Sequence, residues 1–133
     1  MKLVLDASVA IDYLRRKDKE NSWYFKAHSA GYDLVMSVVT VAEVFSGKSV
    51  QVGGIQKEEW ELLLNGLEVV RVDLMSARLV GELRAKYELE LGDAFVAALA
   101  LKENLTLATL DRKAFAKVKG LKLFSVETKR KAS

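Results

Sequence analysis

Short apolar runs alternate along the whole chain with longer amphipathic stretches, and this alternation restricts the fold more than any other feature. Lys2 to Leu5 is one such run, closing on Asp6, and Ser8 stands where a cap belongs before the amphipathic stretch Val9 to Arg16. A second helical stretch, Glu20 to Ala30, stops at Gly31, and Leu34 to Val39 is a β-branched run suited to a buried strand. Thr40 is placed to open the next helix. The segment from Gly47 to Gln56 has glycines and no period, which predicts a loop before a helix over Lys57 to Asn65. A strand is then expected over Leu67 to Val72, a long helix over Leu74 to Glu88, a helix from Asp93 to Asn104 and a strand over Leu105 to Thr109. A short helical turn from Asp111 to Lys119 precedes a last strand, Leu121 to Val126. Strands joined through helices call for right-handed crossovers and a mostly parallel sheet covered on both faces. The predicted class is therefore α/β, a three-layer α/β/α sandwich with about five strands. No repeat, low-complexity segment or proline marks a boundary, so one domain over residues 1–126 with a basic tail over 127–133 is expected.

The acidic residues fall on this pattern unevenly. In an open parallel sheet, ligands bind beyond the carboxyl ends of the strands. Asp6 closes the first strand, Asp111 lies two residues past the fourth, and Glu43 is one turn into the helix that leaves the second. Asp93 heads the helix that feeds the fourth strand. Helix starts at this edge present unpaired N–H groups and partial positive charge, which suit carboxylates and phosphates alike. Two carboxylates ~4 Å apart nevertheless repel by about 1 kcal/mol in water and about 4 kcal/mol at an effective dielectric near 20. Four such groups would take up protons or bind a hard divalent cation, and an all-oxygen set without His or Cys favours Mg²⁺ or Mn²⁺ over zinc. Two such cations about 3.5–4 Å apart would balance four charges, activate a water and stabilise the leaving oxygen of a phosphodiester. Asp6, Glu43, Asp93 and Asp111 are thus the expected metal-binding and catalytic residues of a nucleic-acid hydrolase.

Each acid also has a plainer explanation. Asp6 suits a strand-end turn and Ser8 an N-cap, while Thr40 with Glu43 forms a capping box, which needs no metal. Asp93 and Asp111 sit where helix caps belong. What separates the two explanations is location: capping acids would scatter over both ends of the sheet, whereas these four map to one edge. Asp12 reads as a solvated helix residue, Asp73 as the cap of the helix after it, and His28 as a lone surface or packed side chain. Trp23, Tyr24 and Phe25 are consecutive and cannot all face one core, so at least one is expected toward solvent or a partner.

Composition excludes other classes. The 133 residues contain no cysteine, which removes thiol nucleophiles, Cys-based zinc sites and disulfide frameworks. The start, MKLVLDAS, reaches an acid at position 6, too early for a signal-peptide apolar region, and no apolar run approaches the ~20 residues of a membrane span. A cytoplasmic protein is the expectation. The formal charge is +3, of which the last seven residues, ETKRKAS, supply +2. The body is nearly neutral, so overall charge is no argument for nucleic-acid binding, and Arg15 to Lys17 and Lys129 to Lys131 read first as solvated runs.

The acids and their surroundings resemble the PIN-domain family, most closely the single-domain VapC-type toxins of prokaryotic toxin–antitoxin pairs. The resemblance rests on LDAS (Leu5 to Ser8), TVAE (Thr40 to Glu43), GDAFVAALA (Gly92 to Ala100) and ATLDRKAF (Ala108 to Phe115), in this order over nearly the whole chain. It implies a parallel sheet flanked by helices, Mg²⁺ or Mn²⁺ at the four acids, and endonucleolytic cleavage of RNA such as tRNA, rRNA or mRNA. It further implies a homodimer and a cognate antitoxin. Ser8 and Thr109 match the family's hydroxyl positions beside the acids, and Thr40 is grouped with them as a supporting residue. The segment Gly47 to Gln56 is where this chain is expected to be individual. Two other functions compete. A receiver-type signalling module also gathers carboxylates to bind Mg²⁺, with Asp73 as the only acceptor on offer, but it needs a pair of acids after the first strand and a Lys after the last. A non-catalytic binding or scaffold protein would use the same acids only as caps.

Overall fold

The computed structural model describes residues 1–124. Four parallel strands form one sheet: β1 (Lys2–Leu5), β2 (Asp33–Ser37), β3 (Glu68–Val70) and β4 (Thr106–Ala108). Their order is β3-β2-β1-β4, so the chain adds two strands on one side of β1 and then crosses back to add the next on the other. The topology reverses at β1, and crevices form at such a point. The helices among the described residues are α1 (Ala7–Arg15), α2 (Trp23–Ser29), α3 (Val38–Phe45), α4 (Lys48–Gln51), α5 (Ile55–Asn65), α6 (Leu74–Tyr87), α7 (Leu91–Glu103) and α8 (Arg112–Phe115).

Side chains alternate across the sheet and divide the core in two. Leu3 and Leu5 of β1, with Leu34 and Met36 of β2, pack with Val9 of α1, Trp23 of α2 and Trp60 of α5. Val4 and Val35 point the other way, against Val80 of α6 and Val96 of α7. Burial on both faces is why β1 and β2 read as continuous apolar runs. Leu3, Val4 and Leu5 are wholly buried, and each contributes about 1.5–3 kcal/mol of hydrophobic stabilisation. Among the described residues, no helix is long and apolar enough to cross a membrane.

Several boundaries differ from those expected, each for a local reason. Asp6, not Ser8, is the N-cap of α1, accepting the Ser8 N–H at 3.1 Å. The segment Glu20 to Ala30 splits into a 3₁₀ turn, Lys19–Asn21, and α2, because Ser22 caps α2 by accepting the Phe25 N–H. α3 starts at Val38 because Ser37 caps it through the Val39 N–H, which shortens the strand before it. Gly47 to Gln56 is not an irregular loop: it contains α4, anchored by buried Val50, and turns through Gly53 and Gly54 at φ of 94° and 80°. The expected fifth strand joins β4 as a single parallel bridge, Leu107 to Leu123. Leu107 donates to the Lys122 carbonyl and accepts from the Phe124 N–H, both at 2.8 Å. The end of that strand, the tail 127–133 and Lys129 to Lys131 lie outside the described residues.

Candidate functional site

β1 and β4 lie side by side in parallel register, Leu5 opposite Ala108, so the residues that follow them, Asp6 and Thr109, emerge together at the carboxyl edge. Asp6 is 5% exposed and is held from both sides. Its Oδ1 accepts from the Ser8 hydroxyl at 2.5 Å and its Oδ2 from the Thr109 hydroxyl at 2.5 Å. The same hydroxyls reach onward: Ser8 Oγ accepts the Leu110 N–H at 3.0 Å, and Thr109 Oγ1 accepts the Asp111 N–H at 2.9 Å. Two hydroxyls thereby tie the β1–α1 turn to the β4–α8 turn and fix the rotamer of the carboxylate between them. Burial pushes the Asp6 carboxyl up from its ordinary value, and these hydrogen bonds pull in the opposite direction.

Asp93 and Glu43 feel the charge of Asp6, and Asp111 acts on Asp93. Asp93 lies in the first turn of α7, and its carboxyl is raised by withdrawal from water and then by the charges of Asp6, Glu90 and Asp111. Glu43, on α3, is raised by withdrawal from water and then by Asp93, Asp6 and Glu90. Asp111 precedes α8, is exposed, and makes no side-chain cap bond. The four residues expected from the sequence therefore share one electrostatic field. Among the described residues, no three acidic or imidazole side chains are drawn in to a common ligand distance. An all-oxygen donor set suits a hard divalent cation, whose charge would offset the neighbouring charges that add to desolvation in raising Glu43 and Asp93.

The capping explanations now separate. Asp6 is a true cap, so one residue both starts α1 and lies at the candidate site. The capping box at Thr40 and Glu43 does not form, because α3 begins two residues before Thr40 and Glu43 falls in the second turn. Thr40 is fully buried, and its hydroxyl has no hydrogen-bond partner among the described residues. Asp73 caps α6 through the Ser76 N–H at 2.8 Å and pairs with Lys102 at 3.1 Å, which pulls its carboxyl down to about 2. Asp12 pairs with Arg16 one turn along α1. His28 is exposed and stacks on Tyr24, while Phe25 is the outward member of its aromatic triplet.

Two further residues adjoin these acids and were not singled out from the sequence. Glu90, the N-cap of α7, adds a fifth charge felt by both Glu43 and Asp93. Its signal in the sequence is the spacing ExxD across a helix start. Gly92 lies directly beneath the Glu43 carboxylate.

Comparison with known proteins gives a consistent result. The PIN domain matches residues 3–121. Ribonuclease VapC10 of Mycobacterium tuberculosis is 31% identical over 114 residues, 82% of each chain. VapBC2 from Rickettsia felis, solved bound to a DNA fragment from its promoter, superposes with a TM-score of 0.75 at 20% identity, covering 93% of this chain and 98% of that one. A toxin–antitoxin complex from Klebsiella pneumoniae gives 0.70 at 25% identity, covering 90% and 94%.

Proposed function

The chain belongs to the PIN-domain family, and from that membership we propose that it is a divalent-cation-dependent endoribonuclease acting as the toxin of a toxin–antitoxin pair. The observation that carries the proposal is the placement of these acids at the topological reversal of the sheet: Asp6 is held between Ser8 and Thr109, Thr109 also orders the Asp111 backbone, and the Glu43 carboxylate lies against Gly92, next to Asp93. The name of the curated relative, a ribonuclease, supports RNA as substrate, and the Klebsiella complex supports an antitoxin partner.

The four acids would hold Mg²⁺ or Mn²⁺, which supplies charge neutralisation at the scissile phosphate and an activated water when bound. Asp6 is the fixed reference point, since Ser8 and Thr109 remove its rotamer freedom before any ligand arrives. Glu43 and Asp93, whose carboxylates feel the charge of Asp6, would share the cation with it and orient the attacking water. The start of α7 directs its unpaired N–H groups to the same edge, where they favour a phosphate. The homodimer and the antitoxin contact both need apolar surface, and Val52, Ile55, Leu74 and Met75 are each more than two-thirds exposed.

The test is to sequence the 5′ ends of RNA fragments made by the purified parent with Mn²⁺, alongside Asp6→Asn and a single-stranded DNA control. Discrete RNA ends made by the parent and absent with Asp6→Asn are expected. Equal cutting by Asp6→Asn would refute the site, and preferential cutting of DNA would refute the substrate class.

A further inference from the structure

We propose that Gly92 is a positioning residue: it leaves the space in which the Glu43 carboxylate lies against the first turn of α7, beside Asp93. A methyl group on Gly92 would overlap Glu43 Oε2 and stand 2.6 Å from its Cδ and 2.9 Å from its Oε1. All three nearest atoms belong to this one carboxylate. The backbone gives no reason for a glycine here. Gly92 is the second residue of α7 and is not among the positive-φ positions, so its conformation is open to any residue. Alanine would make the better helix. By contrast, Gly81 in α6 has nothing within 4 Å of its missing Cβ, so a methyl group there meets open space.

Only the far end of a flexible side chain occupies the space above Gly92. A methyl group would therefore leave the fold intact and swing the Glu43 carboxylate away from Asp93, Asp6 and Glu90. Stability and activity are predicted to move in opposite directions at one residue, as occurs where a site is built at the expense of local propensity. α3 and α7 contribute separate acids to the site, and Gly92 is where the two helices set the distance between them. This inference rests on the proposed cation-dependent activity.

The experiment compares the parent with Gly92→Ala, Gly81→Ala, Glu43→Asp and the double variant Gly92→Ala/Glu43→Asp. Thermal melting, Mn²⁺ binding by calorimetry and RNA cleavage are measured for each. Gly92→Ala is expected to melt at or above the parent, to bind Mn²⁺ more weakly and to cut about 100-fold more slowly. Gly81→Ala should bind and cut like the parent. In the Glu43→Asp background, where the shorter side chain withdraws from position 92, the alanine should add little further loss. Parent-like binding and cleavage by Gly92→Ala, an equal loss in both backgrounds, or a melting point well below the parent's would each overturn the role of Gly92. A parent that binds no Mn²⁺ would instead remove the cation site itself, and this inference with it.

Discussion

Thr109 donates to Asp6 at 2.5 Å and receives the Asp111 N–H at 2.9 Å, so one hydroxyl holds one site acid and orders the backbone of another. Replacing it by valine keeps the shape and leaves a buried carboxylate oxygen and a backbone N–H short of a partner. Thr109→Val should cost about 1.5–3 kcal/mol in urea unfolding, the range for hydrogen bonds to charged groups, and should slow cleavage as well. Unchanged stability would mean that the hydroxyl does not carry the Asp6 carboxylate. At this scale much of the candidate site was legible: Asp6 and Asp111 follow strands, Asp93 stands in the first turn of a helix, and Ser8 and Thr109 each lie two residues from one of these acids, whereas the bond from Thr109 to Asp6 spans 103 positions. Glu90 was not legible, because an exposed acid at a helix start looks like any surface charge until Asp93 and Glu43 are seen to respond to it. Gly92 was hidden for a different reason. Its neighbour Glu43 lies 49 positions away, and nothing local links them.

The elements moved at their ends more than in their identity. Val38 and Val39 are strand formers by propensity, yet they open α3, because the Ser37 side chain satisfies the Val39 N–H and so favours the helix. That earlier start turns Thr40 from a cap into a buried residue of the first turn whose hydroxyl has no partner among the described residues. Removing an unpaired buried hydroxyl relieves a cost of about 1–3 kcal/mol, so Thr40→Val should raise the unfolding midpoint. A lower midpoint would mean that the hydroxyl has a partner. At the start of α6 the opposite sign is expected: Asp73→Ala removes the cap and the Lys102 pair and should lower the urea midpoint without changing Mn²⁺ binding. A change in Mn²⁺ binding would place Asp73 in the site. α4 was missed because a four-residue helix shows too little period to detect, and only burial of Val50 marks it.

For the molecule as a whole, the alternation of runs was enough to give the α/β class and the covered parallel sheet, because burial on both faces writes itself into β1 and β2 as unbroken apolar sequence. The strand order was not, since no local pattern says which side of β1 the chain returns to. The charge pattern of the folded chain carries a pH signature. Asp6, Glu43 and Asp93 have folded-state pKa values above their ordinary 3.8 or 4.5, so the folded state binds their protons more tightly than the unfolded chain. Their contribution to stability therefore falls as pH rises from those ordinary values through the raised ones, and the penalty is complete once pH exceeds the raised values. Asp73 works the other way: its stabilisation is present above 3.8 and is lost as pH falls toward 2. Metal-free protein should then melt higher in weak acid than at neutrality, and a divalent cation should reverse that order. At 100 times its dissociation constant, Mn²⁺ would add about 2.7 kcal/mol, a shift of several degrees in melting temperature. Calorimetric titration of the metal-free chain with Mn²⁺ at neutral pH, repeated on Asp93→Asn, asks whether the four acids share bound cations. Saturable binding by the parent that disappears in Asp93→Asn is the expected result, and equal binding by both, or none by the parent, would contradict a cation site at Asp6, Glu43, Asp93 and Asp111.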